Sequence, residues 1–170
     1  MSIEVIDNFL EEQDFRQVRE IFLGTELPWY YYDFKVSEQE SSRNVLCESQ
    51  MVHLFYNHFT PSQYYPVVAP IVRGLNAVSL IKVKANMTPA WSSIERFDSH
   101  VDNSFNAAKT AVFYVNSNDG YTEFVETSDR VESVENRIVI FPSNTSHLGT
   151  THTNAKTRVV VNINFFDGRQ

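Results

Sequence analysis

The second half of the chain is a succession of short β-prone segments separated by turn residues, and this pattern limits the fold more than any other feature. Asn118-Asp119-Gly120 is a typical hairpin turn between two of them. The predicted strands cover residues 79–86, 110–116, 121–125, 131–134, 137–141 and 158–166. A run of strands that follows a helical first half predicts a mainly β fold, a sheet-on-sheet barrel or jelly roll with helices packed outside one sheet.

The first half of the chain predicts two helices. Phe15, Val18 and Phe22 recur at helical spacing, and Gly24 follows as a stop signal, which predicts a helix over residues 11–23. A second helical region is predicted over residues 60–75, although two prolines obscure its start. The remaining predictions are strands at residues 3–6, 29–36 and 51–59 and a polar loop at 37–44.

Length and composition place limits on function. A chain of 170 residues suits a single domain, with helical support over about residues 1–77 and a jelly-roll core over about 78–170. The formal charge of -7 argues against a nucleic-acid partner, because phosphate contacts need clustered Lys and Arg. The only cysteine, Cys47, excludes an internal disulfide, and no apolar run approaches the ~20 residues of a membrane helix. These observations predict a cytoplasmic protein without a membrane partner.

The tripeptide His100-Val101-Asp102 and the later His147 have the composition of a metal site. In an extended segment alternate side chains share a face, so His100 and Asp102 are expected to point the same way. Two histidines and one carboxylate occupy one side of a metal and leave other positions open, which suits non-haem Fe(II) oxygenases. His152 is the alternative to His147, which follows a strand and a turn and therefore fits better.

The last predicted strand has two different faces. Its apolar face is expected to pack under the helices, and its mixed face, which begins with Arg158, is expected to look into a cavity. Arg158 offers a rigid fork of donors for a carboxylate. The apolar face comprises Val159, Val161, Ile163 and Phe165, and the mixed face comprises Arg158, Val160, Asn162 and Asn164.

Residues 83–167 resemble the Fe(II)/2-oxoglutarate-dependent dioxygenases, in particular their prolyl 4-hydroxylase-like branch. The resemblance rests on the order and spacing of motifs rather than on any single motif. In the hairpin, Tyr121 stands where the family often has a second glycine. The matching motifs are His100-Val101-Asp102-Asn103, the strand at 111–116, the hairpin at 120–124, the run at 137–143, His147, and Thr157-Arg158 before a strand that ends in Phe165-Phe166-Asp167.

The resemblance implies a double-stranded β-helix and assigns roles to individual residues. His100, Asp102 and His147 are implied as ligands of Fe(II), and Arg158 is implied to bind the far carboxylate of the cosubstrate 2-oxoglutarate, with O2 as the second cosubstrate. Other residues have weaker assignments. Tyr114 could donate its hydroxyl to the same carboxylate or be an ordinary core tyrosine, and Asn86 and Asn164 could line the cosubstrate or substrate pocket.

The main functional prediction is a hydroxylase that acts on a C–H bond of a peptide, an amino acid or another small substrate and releases succinate and CO2. The alternatives are a cupin-like domain that binds a metal or a small acid without turnover, and a nucleic-acid demethylase, which the acidic composition disfavours. His53 and His58 are expected to be structural or surface residues, and Lys84 and Arg96 to be ordinary solvated charges.

Overall fold

The computed structural model describes residues 3–33, 47 and 49–168, which form two helices and eleven strands. The helices are α1 (Glu12–Leu23) and α2 (Tyr65–Gly74). The strands are β1 (Glu4–Ile6), β2 (Tyr30–Tyr32), β3 (Gln50–Asn57), β4 (Thr60–Pro61), β5 (Ala77–Pro89), β6 (Lys109–Tyr114), β7 (Tyr121–Phe124), β8 (Arg130–Glu132), β9 (Arg137–Pro142), β10 (His147–Gly149) and β11 (Thr157–Asp167). Neither helix combines the length and the apolar character needed to cross a lipid bilayer.

The strands form two antiparallel sheets. The large sheet has the order β1-β9-β6-β11-β5-β3-β2, with β4 paired to β3, and the small sheet has the order β10-β7-β8. The long strands β5 and β11 pair along nearly their whole length at the centre of the large sheet. This pairing makes the centre of the large sheet a long two-stranded ladder. Successive side chains along each strand point to opposite faces of the sheet.

The two faces of the large sheet have different coverings. The helices cover one face, where Phe15, Val18 and Phe22 of α1 and Val68 and Ile71 of α2 join the main apolar core. On the other face a smaller core joins the large sheet to the small sheet, and it includes Tyr114 and Val160 from the first and Phe124 and Val131 from the second. The helices are therefore packed outside the large sheet, as the sequence predicted.

The two-faced character predicted for the last strand is confirmed for its apolar side. Val159, Val161, Ile163 and Phe165 are fully buried in the main core beside the helices. Burial of such side chains contributes roughly 1.5 to 3 kcal/mol each relative to exposure. The opposite face of β11 consequently lies toward the small sheet, where the polar residues of this strand are found.

The start of the second helix differs from the prediction. Thr60 and Pro61 are not helical but form β4, which pairs with the end of β3. His58 and Phe59 have φ angles of 48° and 62°, a left-handed turn that reverses the chain there. The helix begins only at Tyr65. Pro66 is tolerated there because backbone N–H groups in the first turn have no acceptor within the helix, so the N–H that proline lacks is not needed.

The other element predictions differ in length rather than in kind. Strand β5 extends the predicted residues 79–86 at both ends, and β8 is one residue earlier and shorter than predicted. Within the predicted strand 29–36 the structure has β2, and residues 34–36 and the predicted loop 37–44 lie outside the described residues. Strand β10 was not predicted, because three residues are too few to show an alternating pattern.

Candidate metal centre

His100 and His147 are brought together by backbone pairing rather than by their side chains. The N–H of each residue donates to the carbonyl oxygen of the other, at 2.9 and 3.0 Å. This isolated antiparallel bridge places the segment before Asp102 against β10 of the small sheet. As a result the centroids of the two imidazole rings are 4.6 Å apart.

Asp102 lies opposite both imidazoles. Its carboxylate oxygens are 3.9 Å from Nε2 of His100 and 3.8 Å from Nε2 of His147. These distances are too long for hydrogen bonds. They suit ligands that share one ion, because two atoms that each lie about 2.1 Å from a metal are roughly 3 to 4 Å apart. The three ligand atoms lie within 4.8 Å of one another, so this donor set fits a divalent metal such as Fe(II).

The ring of His147 is fixed in the orientation that a metal ligand needs. Its Nδ1 is 3.0 Å from the carbonyl oxygen of Thr145 and donates to it in the tautomer that leaves Nε2 unprotonated. Phe141 packs edge-on at 4.8 Å between ring centroids, and Phe124 lies at 6.5 Å. Nε2 therefore faces Asp102 from an almost completely buried side chain.

Asp102 is held by hydrogen bonds from the large sheet. The hydroxyl of Thr110 on β6 donates to one carboxylate oxygen at 2.7 Å, and the amide of Asn162 on β11 lies 3.3 and 3.4 Å from the two oxygens. Thr110 in turn accepts a hydrogen bond from Asn164 and is 3.0 Å from the hydroxyl of Ser143. Such supporting bonds fix the direction of a ligating carboxylate.

The local electrostatics favour the protonation states that bind metals. Burial alone raises the pKa of Asp102, but His147, His100 and the hydrogen bonds from Thr110 and Asn162 bring this pKa below its usual value. Burial and the neighbouring His147 lower the pKa of His100. The site therefore favours an ionised carboxylate beside a neutral imidazole, which is the form that coordinates a cation.

Arg158 carries a positive charge in a buried position. Only 5% of its surface is exposed, and burial lowers its pKa. Its Nε donates to the hydroxyl of Ser133 at 3.0 Å, and its guanidinium carbon lies 5.8 Å from the ring centroid of Tyr114. In the part of the chain that the structure describes, no carboxylate forms an ion pair with Arg158. A buried charge of this kind is costly unless a ligand supplies the counter-charge.

Arg158 and the three clustered residues line one cavity between the two sheets. The cavity is a cleft of about 100 Å³ that is partly open to the solvent. Strand β5 contributes Lys84, Asn86 and Thr88, and β11 contributes Arg158, Val160 and Asn162. The side chains on the opposite wall come from the small sheet and from the segment that contains Phe97 and His100.

Not every residue predicted at the site lines this cavity. Asn86 does, but Asn164 is buried behind Thr110 and supports Asp102 indirectly. The hydroxyl of Tyr114 donates to Thr122 at 2.8 Å, so that Tyr114 meets Arg158 through its ring. His152 lies outside the cluster and is buried with its Nε2 3.0 Å from the carbonyl oxygen of Ala155.

Three residues that matter to the site have roles that the sequence did not predict. Thr110 and Asn162 hold Asp102, and Asn162 was predicted only to lie with Arg158 on the mixed face of the last strand. Lys84 was expected to be a solvated charge but is half-buried in the cavity wall. Burial, reinforced by the positive charge of Lys82, lowers the pKa of Lys84 to about 8. Arg96 is half-exposed and pairs with the buried Glu123, which also binds Arg130.

Solved structures resemble the chain over nearly its whole length. A prolyl 4-hydroxylase from Pseudomonas putida is 13% identical, with 97% of this chain and 92% of that chain covered and a TM-score of 0.61. A viral collagen prolyl hydroxylase from Paramecium Bursaria Chlorella virus-1, in a 2OG complex, is 12% identical over 98% of this chain and 97% of that chain, with a TM-score of 0.60. The chain has the prolyl 4-hydroxylase fold.

A third structure with the prolyl 4-hydroxylase fold carries a bound peptide. It is the prolyl hydroxylase from Trichoplax adhaerens in complex with a hypoxia inducible factor peptide fragment, 13% identical over 97% of this chain and 83% of that chain, with a TM-score of 0.63. No family model matches the sequence, and no curated protein matches it. Identities this low establish the fold, and the chemistry of this chain has to be argued from its own site.

Proposed function

We propose that the chain is an Fe(II)- and 2-oxoglutarate-dependent dioxygenase that hydroxylates a C–H bond of a small molecule or a peptide and releases succinate and CO2. One observation carries the proposal. A His-Asp-His cluster shares one cavity with a buried arginine that has no counter-ion among the described residues. A domain that bound only a metal would have no need of the second feature, whereas a keto-diacid cosubstrate uses both. The alternative domain that binds a small acid without turnover would also use the arginine, and release of succinate distinguishes it from the enzyme.

In this proposal His100, Asp102 and His147 would hold Fe(II), and a set of three protein ligands would leave the metal able to bind the cosubstrates. Bound Fe(II), 2-oxoglutarate and O2 supply the oxidising chemistry. The protein contributes ligand direction, through Thr110 and Asn162 on Asp102 and through the Thr145 carbonyl on His147. It also contributes a partly enclosed cavity that limits access of water to the reacting groups.

Arg158 binds the far carboxylate of 2-oxoglutarate through its terminal nitrogens, since its Nε is already committed to Ser133. The ring of Tyr114 packs against the guanidinium group of Arg158. Thr122 accepts the hydrogen bond from the Tyr114 hydroxyl and lines the cavity. Asn86 lines the same wall of the cavity. Asn164 belongs instead to the network behind Asp102, where it keeps Thr110 directed at the carboxylate.

The finer architecture is part of the proposal. We infer that the two antiparallel sheets form a double-stranded β-helix within a single domain, with residues 1–77 as its support and residues 78–170 as its core. The peptide bound to the Trichoplax adhaerens prolyl hydroxylase supports a peptide or a small molecule as the substrate. The net charge of -7 gives no support to a nucleic-acid substrate. A cytoplasmic location stays a prediction.

Anaerobic reconstitution tests the proposal directly. Protein purified without chelator is loaded with Fe(II), and 2-oxoglutarate is added in the absence of O2. We expect a visible charge-transfer band from the chelated cosubstrate, followed by succinate release when O2 is admitted. A band without any succinate would favour the cupin-like binding domain, and the absence of both would refute the proposal.

A further inference from the structure

Lys84 places a second positive charge in the same cavity as Arg158. It lies on β5, on the same face as Asn86 and Thr88, and it is paired across the ladder with Asn162 of β11. Asn162 is the residue whose amide contacts Asp102, so Lys84 belongs to the end of the cavity beside the proposed metal ligands. The side chain is half-buried rather than free in solvent.

The ammonium group of Lys84 has no ionic partner within the described residues. Lys84 forms no ion pair or hydrogen bond with any of these residues, and the charges that act on it are Lys82, which repels, and Asp102, which attracts. Asp102 is already directed at the two imidazoles and bound by Thr110 and Asn162. A desolvated lysine in this state is stabilised by any anion that enters the cavity.

The proposed cosubstrate does not supply a full counter-charge to both Lys84 and Arg158. Arg158 is paired with Thr88, four residues along β5 from Lys84, which separates their backbone positions by about 13 Å. The terminal carbons of 2-oxoglutarate are only about 5 Å apart, given C–C bonds of about 1.5 Å. With one carboxylate at Arg158, the only other carboxylate of the cosubstrate would be bound to the metal and neutralised by it, so Lys84 is left without a full counter-charge.

Asn86 lies next to Lys84 and needs a hydrogen-bond donor rather than an anion. It lies two residues along β5, between Lys84 and Thr88, and its buried side-chain oxygen has no hydrogen-bond partner in the part of the chain that the structure describes. This oxygen needs a donor. The dianion of 2-oxoglutarate carries only acceptors, so the donor has to come from another molecule. The two unsatisfied groups therefore call for a ligand with both an anion and an N–H or O–H group.

We propose that Lys84 and Asn86 form the subsite for the primary substrate, in which Lys84 binds a carboxylate and Asn86 accepts a hydrogen bond from the amine or amide nitrogen attached to the same carbon. This inference rests on the proposed function. It names the substrate class as an amino acid, either free or as the C-terminal residue of a peptide. Lys84 acts here by binding and orienting the substrate, while Arg158 remains with the cosubstrate.

The experiment measures binding without turnover. The full chain is loaded with Zn(II) in place of Fe(II) and saturated with 2-oxoglutarate, and both loadings are verified by calorimetry. The standard L-amino acids, their α-carboxamides, and short peptides with free or amidated C-termini are then titrated. We expect at least one amino acid or free-acid peptide to bind, and its carboxamide to bind at least about 30-fold more weakly, since a buried charge pair is lost.

Lys84→Met is expected to lower the affinity for the same ligand by a similar factor and to leave the Kd of 2-oxoglutarate unchanged. Lys82→Met is the matched control, because Lys82 is a lysine two residues away on β5 that lies outside the cavity lining. Its effect should stay within about 3-fold, as expected for a screened charge. Lys84→Arg, which keeps the charge, should bind the ligand more tightly than Lys84→Met.

Each result has a defined meaning. Free amino acids that bind identify a small-molecule substrate, and binding only of free-acid peptides identifies a C-terminal residue. Equal binding of acids and carboxamides, no binding of any probe, or a shift of 2-oxoglutarate affinity in Lys84→Met overturns the subsite. Failure of the chain to take up Zn(II) and 2-oxoglutarate contradicts the proposed function instead. The comparison of acids with carboxamides needs only wild-type protein, so it stands even if Lys84→Met does not fold.

Discussion

The backbones of His100 and His147 are joined by two reciprocal hydrogen bonds, at 2.9 and 3.0 Å, so backbone pairing sets the two imidazoles beside each other. The loss of chain entropy on bringing these distant segments together is offset by the hydrogen bonds of the β-bridge and of the small sheet. A preformed arrangement of this kind favours metal binding, because little ordering of the ligands remains to be done.

Replacement of a proposed metal ligand should abolish tight binding. In His147→Ala we expect Fe(II) affinity to fall by more than about 100-fold, since loss of a supporting residue alone costs about 10- to 100-fold. Metal analysis after dialysis measures the change. His58→Ala, which removes an exposed histidine outside the cluster, is the control and should retain the metal. Stoichiometric Fe(II) in dialysed His147→Ala would exclude His147 as a ligand.

The hydroxyl of Thr110 should matter to the metal although it is not a ligand. Thr110→Val keeps the shape of the side chain but removes the 2.7 Å hydrogen bond to Asp102 and the partner of Asn164. We expect Fe(II) affinity to fall by about 10- to 100-fold. Competition with a colorimetric chelator measures this, with the exposed Thr60→Val as the control. Equal affinity in both variants would mean that Asp102 does not need this support.

Arg158→Met should separate cosubstrate binding from both metal binding and stability. The Kd of 2-oxoglutarate should rise by about 30-fold or more, because a buried charge pair is lost. Thermal unfolding should be unchanged or shifted to a higher temperature, because the variant removes a buried charge that has no counter-ion among the described residues. Arg73→Met, at an exposed position in α2, is the control. Tight 2-oxoglutarate binding by Arg158→Met would remove Arg158 from its proposed role.

Gly120 should be required for the position of Arg158. A Cβ atom at Gly120 would lie 2.9 Å from Cδ of Arg158 and 2.9 Å from the carbonyl oxygen of Thr151, closer than real contacts allow. We expect Gly120→Ala to lower the free energy of unfolding by about 1 to 3 kcal/mol. Weaker 2-oxoglutarate binding should accompany this loss. Denaturant titration and calorimetry measure the two effects, with Gly168→Ala at an exposed position as the comparison.

The lowered pKa of Lys84 predicts a pH dependence of stability. The pKa of Lys84 is about 8 in the folded chain and 10.5 in the unfolded chain. Between these two pH values the unfolded chain binds more protons than the folded chain, so the free energy of unfolding rises with pH. The contribution reaches up to about 3 kcal/mol, at about 1.4 kcal/mol per pKa unit. Denaturant titrations across this range should therefore show a rise for wild type relative to Lys84→Met. Lys82→Met should keep most of the rise, because burial is the larger cause of the lowered pKa of Lys84 and the charge of Lys82 only adds to it. Parallel profiles for wild type and Lys84→Met would contradict the shift.

Local patterns in the sequence carried much of the prediction. The alternation in β11 placed Val159, Val161, Ile163 and Phe165 in the core and Arg158 on the cavity side, because side chains of a strand alternate between faces whatever the rest of the chain does. The helical spacing of Phe15, Val18 and Phe22 placed α1 on the core in the same way. The sequence also supplied His100, Asp102 and His147 as candidates, since their chemistry is a property of residue type.

Tertiary structure decided which candidates meet and what surrounds them. Tyr114 and Asn164 lie on the same strands as cavity residues. Tyr114 donates a hydrogen bond to Thr122 and Asn164 donates one to Thr110, and neither side chain lines the cavity. Lys84 looked like an ordinary surface charge, and only its pairing with Asn162 shows that it stands in the cavity wall. Periodicity fixes the face of a side chain, but partners and burial depend on which strands become neighbours. That choice is made by contacts between residues distant in sequence, which no local pattern contains.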